Sequence, residues 1–165
     1  MADDQDRAIR AGIGTLAVAV AIITTFDDGR PHGCTGMAWA EHPAPPLLLT
    51  TLRAGGRTRE LVQATSQFGV SVLGEGQQAH VAGFAARSAE PGGRFAGVPF
   101  SPGPTFGLPL LDGCVASFEC ELKDIYPFGG HDIVVGRVTW ASVAGGRRPL
   151  VHHDGRLWGL REPGQ

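Results

Sequence analysis

Short apolar runs separated by closely spaced turn residues constrain the fold of this chain more than any other feature. The sequence holds 25 glycines and 12 prolines in 165 residues, which favours short elements over long helices. Runs rich in β-branched and apolar residues predict strands at 16–25, 32–39, 47–52, 68–73, 114–125, 132–143 and 150–160, the last with a turn at 154–155. Many strands joined by short turns predict a mainly β fold, a closed antiparallel barrel, because closure removes sheet edges.

Three short helices and one long loop complete the predicted elements. The helices are expected at Asp6–Gly14, Arg59–Gln67 and Gln77–Ala86. The segment 87–113 holds five prolines and six glycines, so we predict a long loop, and long loops in compact domains often serve function. A chain of this length most often forms one domain, here residues 1–165.

Charge and hydropathy exclude several classes of protein. The formal net charge is −2 and the isoelectric point about 6.3, so nothing indicates a nucleic-acid partner. The apolar run 16–23 is too short to span a membrane, and the acidic residues before it are unlike a signal peptide. Charged residues make up 18% of the chain, which indicates either a surface hidden in an oligomer or a bias in genome composition.

The cysteines and histidines predict neither disulfides nor a metal site. Cys34, Cys114 and Cys120 form no CxxC pair, which indicates reduced thiols and a cytoplasmic protein. Period-two alternation predicts that Cys114 and Cys120 face the core, whereas the carboxylates of Glu119 and Glu121 face solvent. The adjacent residues at 152 and 153 are both histidines, and on a strand their rings point to opposite faces.

A possible anion site lies in the segment Leu47–Leu73, between an apolar strand and a short helix. Two glycines, Gly55 and Gly56, precede Arg57 and Thr58 where the helix begins. Backbone N–H groups at a helix start have no internal partner and attract anions. Together with the arginine and the hydroxyl, they predict a phosphate cradle, and thus a bound nucleotide or nucleotide-like cofactor.

The sequence contains no nucleophile elbow, HExxH, P-loop or Rossmann glycine motif. His131 follows Gly129-Gly130 at the entrance of an apolar strand, a position that fits either a surface turn or the rim of a pocket. Without a catalytic dyad, we expect a cofactor to carry out the bond chemistry while the protein binds and orients it.

The order of these segments resembles the short-chain flavin reductases with the FMN-binding split-barrel fold, the reductase partners of two-component flavin monooxygenases. The likeness extends over residues 7–160 and rests on motifs that are modest alone but specific together. They are Asp28-Gly29-Arg30-Pro31-His32-Gly33-Cys34-Thr35, Pro45-Pro46-Leu47-Leu48-Leu49, Arg57-Thr58, Phe68-Gly69-Val70-Ser71-Val72-Leu73, Gly93-Arg94-Phe95-Ala96-Gly97-Val98-Pro99, Pro109-Leu110-Leu111-Asp112-Gly113, Glu119-Cys120, Gly130-His131 and Val135-Gly136-Arg137-Val138.

The resemblance implies a homodimer of six-stranded antiparallel Greek-key split barrels with a few short helices, and a flavin near the subunit interface. It implies hydride transfer from NADH or NADPH to FMN or FAD. The reduced flavin would then leave for a flavin-dependent monooxygenase. Such transfer requires stacked rings and no acid or base from the protein, which agrees with the missing dyad.

The family's site residues are carried over position by position. His131 matches the histidine of a Gly-Asp-His signature beside flavin and nicotinamide, and is the one residue given a catalytic role. The predicted cofactor-binding residues are Thr35, Met37, Ala38, Gly55, Gly56, Arg57, Thr58 and Arg94.

Several positions differ from the family pattern. Met37 replaces an asparagine, Gly55 and Gly56 replace serines, and Gly130 replaces the signature aspartate. These differences support an alternative, a divergent split-barrel protein that has lost flavin reduction and uses its cavity for another small molecule in a biosynthetic pathway. A third hypothesis is a structural subunit that stabilises an oxygenase partner.

Overall fold

The structure, a computed structural model, describes residues 2–41, 44–86 and 93–160. Within these ranges it contains three α-helices, one 3-10 turn and ten strands. The helices are α1 (Ala2–Gly14), α2 (Arg57–Thr65) and α3 (Gln78–Ala85), and the 3-10 turn is Gly93–Phe95. The strands are β1 (Val18–Asp27), β2 (Arg30–Glu41), β3 (Leu47–Arg53), β4 (Gln67–Val72), β5 (Phe100–Pro102), β6 (Pro109–Leu111), β7 (Ala116–Phe128), β8 (His131–Val143), β9 (Leu150–His153) and β10 (Arg156–Gly159).

Six strands close into an antiparallel barrel, which confirms the predicted fold. Their order around the barrel is β1-β2-β3-β8-β7-β4, and β4 pairs again with β1. After β3 the chain crosses through α2 and returns beside β1, which is the Greek-key step. Strands β9 and β10 extend the sheet from the start of β1, and β5 and β6 form a separate hairpin.

Two apolar clusters hold the barrel together. One fills its interior and includes Ile23, Phe68, Cys120 and Val134. The ring of Phe68 lies over Gly136, where a Cβ would come within 2.4 Å of it, so only glycine fits there. The second cluster packs α3, the 3-10 turn and β6 against the barrel, with Phe84 and Phe95 in edge-to-face contact.

The predicted boundaries of α2 and of the last strand were wrong by small amounts. Helix α2 begins at Arg57, two residues earlier than expected, because Gly56 adopts the extended backbone of an N-cap. It ends at Thr65, because the left-handed backbone of the next residue, Ser66 (φ 57°), stops the helix. The predicted last strand is two strands, β9 and β10, because the turn at 154–155 completes a hairpin.

The long loop predicted at 87–113 was partly wrong. Residues 87–92 lie outside the described part of the chain, and the remainder contains the hairpin β5–β6. Every residue of β6 is buried, so this strand belongs to the core although it begins with a proline.

The assignment of Glu119 to a solvent-facing surface was also wrong, because an irregularity between Glu119 and Cys120 interrupts the alternation of β7. Both side chains are fully buried. The Glu119 carboxylate accepts hydrogen bonds from the backbone N–H groups of Thr105 (2.7 Å), Phe106 (2.9 Å) and Leu108 (3.2 Å).

The expected burial of Cys114 and Cys120 is confirmed, and so is the surface position of Glu121, which pairs with Arg137. Burial raises the pKa of Cys114 to about 11 and that of Cys120 to about 12, so both thiols stay protonated at neutral pH. Among the described residues, no helix combines the length and hydrophobicity needed to cross a membrane.

Candidate active site

A cleft of about 780 Å³ lies where the start of α2 meets β2, the ends of β3 and β8, and helix α3. It brings together eight of the nine residues predicted from the sequence. The eight are Thr35, Met37, Gly55, Gly56, Arg57, Thr58, Arg94 and His131.

Ala38 is the predicted site residue whose side chain does not line the cleft. It is 8% exposed and packs in the barrel interior, whereas its neighbour Met37 lines the cleft. Successive side chains of a strand point to opposite faces. The side chain of Ala38 therefore faces the barrel interior and not the cleft, and the prediction is corrected in that respect.

The turn before α2 leaves the start of the helix uncovered. Gly55 has a φ of +66°, and the N–H of Gly56 donates to the carbonyl oxygen of Arg53 at 2.9 Å. Within the described part of the chain, no side chain caps the helix. A Cβ at position 56 would lie 2.9 Å from the Arg53 oxygen. The serine expected from the family pattern therefore does not fit this turn unless the backbone shifts.

The Thr58 hydroxyl is buried and already engaged. Its Oγ1 lies 3.0 Å from Nε2 of His32, with which it shares a hydrogen bond. Burial, and then the positive charge of Arg94, lower the pKa of His32, so its imidazole is neutral at pH 7. The predicted direct role of the Thr58 hydroxyl toward a phosphate therefore competes with this contact.

Two cleft arginines are neutralised by carboxylates. Arg57 donates from Nε to Oδ2 of Asp27 at 2.9 Å and from Nη2 to Oδ1, and its Nη1 lies 3.7 Å from Glu60. Arg59 donates from Nε to Oδ2 of the buried Asp132 at 2.7 Å. The strongest donor groups of both arginines are thus directed at acids rather than into the cleft.

The other two cleft arginines have no carboxylate partner within the described ranges. Arg94 donates from Nε to the oxygen of Ala86 (2.7 Å) and from Nη1 to that of Gly33 (2.6 Å). Arg53 is exposed at the end of β3. Neither pairs with a carboxylate among the residues that the structure describes. The surplus positive charge of the cleft therefore lies on Arg53 and Arg94.

Thr35 links β2 to α3, and its neighbour Cys34 is a partly buried thiol. The Thr35 hydroxyl donates to the oxygen of Val81 in α3 at 2.7 Å. Burial raises the pKa of Cys34, so its thiol is a poor nucleophile. Neither side chain offers an acid or base to a substrate.

His131 stands at the rim of the cleft as the first residue of β8. It lies opposite Arg53 of β3 and opposite Phe128 of β7. Directly opposed residues of paired strands point to the same face, so these three side chains form a row on the outside of the barrel.

Among the cleft residues that sequence reasoning missed, five have ionisable side chains: His32, Cys34, Arg53, Arg59 and His152. The alternation of β2 could have predicted that His32 and Cys34 share one face. It could not have predicted that this face contacts α2. The adjacent histidines do separate as expected: His152 lines the cleft, and Nδ1 of His153 lies 3.1 Å from the oxygen of Thr15. In the described ranges, no three potential ligands are grouped to hold a metal ion.

Comparisons with known proteins agree with this architecture. A family model described as a flavin reductase like domain matches residues 13–161. The reductase subunit HsaB of a flavin-dependent monooxygenase from Rhodococcus jostii is 33% identical over 155 residues, covering 93% of this chain and 77% of that protein. The actinorhodin polyketide dimerase of Streptomyces coelicolor is 33% identical over 162 residues, covering 97% and 89%.

A solved structure is similar over nearly the whole chain. The NADH:FAD oxidoreductase SgcE6 of Streptomyces globisporus, in complex with NAD and FAD fragments, superposes with a TM-score of 0.86 at 28% identity. The match covers 98% of this chain and 96% of that one. The chain belongs to the family of flavin-reductase-like domains.

Proposed function

We propose that this chain is an NAD(P)H:flavin oxidoreductase that reduces free FMN or FAD and supplies the reduced flavin to a partner monooxygenase. The observation that carries the proposal is the cleft, in which an uncapped helix start, surplus arginine charge and His131 meet. Family membership over residues 13–161 supports the same activity.

The residues of the cleft fit a flavin nucleotide. The start of α2 offers N–H groups, and Gly55 and Gly56 keep side chains away from them. This end suits the phosphate. Between β2 and α3 the cleft is lined by less polar side chains, including Met37, Val81 and Phe84. That part suits the flavin ring, because ligand pockets are mostly apolar with a few placed polar groups.

When bound, a flavin would supply the hydride acceptor for the nicotinamide, so the protein would need no acid or base at that step. The chain's own contribution is to hold the two rings in contact and exclude water. Residues Thr35 and Met37 would hold the flavin ring, and His131 would contact the nicotinamide at the open rim. The hydrogen bond from Thr35 to Val81 fixes the wall of the cleft against which the ring would lie.

A homodimer would cover a broad apolar face beside the cleft. The registers of β2, β3, β8 and β7 place Trp39, Tyr126 and Phe128 on the same outward face as Arg53 and His131. Four large side chains on or beside this face are 40–72% exposed: Met37, Trp39, Tyr126 and Phe128. Exposed apolar area of this kind supports an interface between copies.

The partner and the location are inferred from chemistry and relatives. The relative from Rhodococcus jostii is named a reductase subunit of a flavin-dependent monooxygenase, which supports such a partner for this chain. All three cysteines are unpaired thiols, which favours a cytoplasmic location.

A second candidate function is a split-barrel protein that has lost flavin reduction. Two hydroxyls expected near the flavin, those of Thr35 and Thr58, already bond within the protein. One relative is named a polyketide dimerase, which suggests a biosynthetic small molecule as the cavity's ligand.

An NAD(P)H oxidation assay separates the two. We expect added FMN or FAD to accelerate oxidation of NADH or NADPH by the purified protein, with saturation in flavin. His131→Ala should raise the KM for the nicotinamide nucleotide more than the KM for flavin. If neither flavin accelerates oxidation of either nucleotide, and flavin titration shows no binding, the reductase proposal is wrong and the second candidate is favoured.

A further inference from the structure

We propose that Arg53 is the cation of the cleft that binds a nucleotide phosphate, at the corner between the end of β3 and the start of α2. The inference deepens the proposed function, because the phosphate would belong to the flavin or nicotinamide nucleotide used there. It also replaces the expectation that Arg57 has this role.

Arg57 and Arg59 are poor candidates because their charges are already balanced. Arg57 directs two N–H groups at Asp27 and lies near Glu60. Arg59 is held by Asp132 and by Gln63. A phosphate approaching either arginine would first have to displace a carboxylate or accept its repulsion.

Arg94 contributes charge but is fixed elsewhere. Its Nε and Nη1 bond the carbonyl oxygens of Ala86 and Gly33, which ties the 3-10 turn to α3 and β2. Its charge acts on His32, whose pKa it helps to lower. Because those two N–H groups connect segments of the protein, Arg94 is better suited to hold these segments in place than to bind a ligand.

Arg53 combines access, charge and position. It lines the cleft and is exposed, and none of the described carboxylates lies within ion-pair distance of it. Its carbonyl oxygen closes the turn by accepting the N–H of Gly56. A Cβ added at Gly56 would lie 3.3 Å from the Arg53 Cβ, so the arginine's stem passes close to the first residues of α2.

Two complementary phosphate-binding features therefore meet at one corner. The start of α2 offers uncapped N–H groups, and Arg53 offers a guanidinium that can bind phosphate with two parallel hydrogen bonds. The glycine at 56 keeps the space between them open. On the other side, Arg53 lies opposite His131, so a nucleotide held here would reach the proposed nicotinamide contact.

The first test compares FMN with riboflavin, which lacks the phosphate. Dissociation constants are measured by flavin fluorescence for the wild type, Arg53→Gln and Arg53→Lys. We expect Arg53→Gln to weaken FMN binding about tenfold, the size of one hydrogen bond to a charged group. Riboflavin binding should change less than twofold. Arg53→Lys should recover part of the loss, because it keeps the charge without the planar fork.

A matched control removes the Arg57 pair without changing the net charge. In the double variant Asp27→Asn/Arg57→Gln, one acid and one base are lost together, so the cleft keeps its surplus charge. We expect the ratio of FMN to riboflavin affinity to stay within about twofold of wild type. If the control loses its preference for FMN over riboflavin while Arg53→Gln keeps it, the proposal is overturned in favour of Arg57.

A second set of titrations identifies the source of the phosphate. If Arg53→Gln weakens binding of NADH and NADPH but leaves the ratio of FMN to riboflavin affinity unchanged, the phosphate is on the nicotinamide nucleotide. A loss confined to NADPH assigns it to the 2′-phosphate, which NADH lacks. Calorimetric titration with inorganic pyrophosphate tests the corner without any flavin, and Arg53→Gln should weaken that binding too. Failure of flavin binding with intact, Arg53-dependent pyrophosphate binding would refute the proposed function alone. If all three measurements are unchanged in Arg53→Gln, Arg53 is not a phosphate ligand.

Discussion

Arg57 and Asp27 share two hydrogen bonds, one from Nε to Oδ2 at 2.9 Å and one from Nη2 to Oδ1. The pair joins the first residue of α2 to the last residue of β1. The hydrogen bond from Arg57 lowers the pKa of Asp27, so the carboxylate is charged at neutral pH. The pair thereby holds the helix start against the β1–β2 hairpin. It also places the negative charge of Asp27 beside the proposed anion site.

Removing this charge should improve nucleotide binding. We predict that Asp27→Asn tightens FMN binding about two- to fivefold, because the phosphate no longer meets a carboxylate and the Arg57 fork is released. The gain should shrink as salt is added, since charges at an exposed site are screened. Stability should change little, as expected for an exposed ion pair.

Glu121→Gln provides the control for this prediction. It changes the net charge by the same amount, but Glu121 pairs with Arg137 and Lys123 on the barrel surface. FMN dissociation constants measured at low and high ionic strength compare the two variants. Equal tightening in both would mean that overall charge, and not the position of Asp27, governs affinity.

The buried contact between His32 and Thr58 predicts a pH dependence of stability. Burial, with Arg94 and Arg57, lowers the pKa of His32, and Asp27 opposes this shift. The unfolded chain therefore binds a proton at a higher pH than the native protein does. As the pH falls below about 6.5, the usual histidine pKa, this favours unfolding, and the loss levels off below the native pKa.

Urea unfolding of wild type and His32→Gln, measured from pH 8 to pH 5, tests this. Glutamine keeps a group that can bond Thr58 but does not titrate. We expect the free energy of unfolding to decrease less steeply below pH 6.5 in the variant. Parallel pH profiles for the two proteins would show that another group causes the acid sensitivity.

The sequence was sufficient for the barrel and for the location of the cleft, because both depend on local signals. Strands of alternating or continuous apolar residues separated by Gly and Pro turns define the barrel. The glycines at 55 and 56, placed between a strand and a helix, predict the anion-binding corner that we propose. Four of the eight predicted site residues in the cleft, residues 55–58, come from this turn, whereas Thr35, Met37, Arg94 and His131 were carried over from the family resemblance.

The remaining features depend on contacts between distant segments. The pairing of Arg57 with Asp27 spans 30 residues and that of Arg59 with Asp132 spans 73, so the sequence did not indicate which arginine remains available. Ala38 was carried over from the family pattern without regard to the face of β2. Glu119 was assigned to the surface because strict alternation ignores an irregularity in β7.

Glu119 illustrates how much a buried, hydrogen-bonded carboxylate can contribute to the stability of the fold. Its two oxygens accept three backbone N–H groups from the segment 105–108, and a Cβ at Gly103 would lie only 2.2 Å from it. We predict that Glu119→Gln destabilises the protein by roughly 2–4 kcal/mol, because the amide NH₂ faces donors where an acceptor is required.

Chemical denaturation measures this loss, and hydrogen exchange locates it. Protection of the N–H groups of Thr105, Phe106 and Leu108 should fall most, while the barrel strands β2 and β3 remain protected. Glu121→Gln again serves as the control, and we expect it to change stability far less, because its ion pairs are exposed. Equal effects of the two substitutions would contradict the special role of the buried carboxylate.

The proposed homodimer gives a prediction about Phe128. Its ring is 72% exposed on the outward face that also carries Trp39 and Tyr126. If two copies pack through this face, Phe128→Glu places an unpaired charge in the interface and should raise the dimer dissociation constant at least tenfold. Sedimentation velocity over a range of concentrations measures the shift from dimer to monomer.

Val143→Glu is the matched control, because Val143 is 73% exposed but lies about 40 Å farther along β8 at the usual rise per residue. We expect it to leave the dissociation constant unchanged. If the wild type is a monomer at every concentration, the homodimer is excluded. If Val143→Glu dissociates the dimer and Phe128→Glu does not, the interface lies at the other end of the sheet, away from the cleft and from His131.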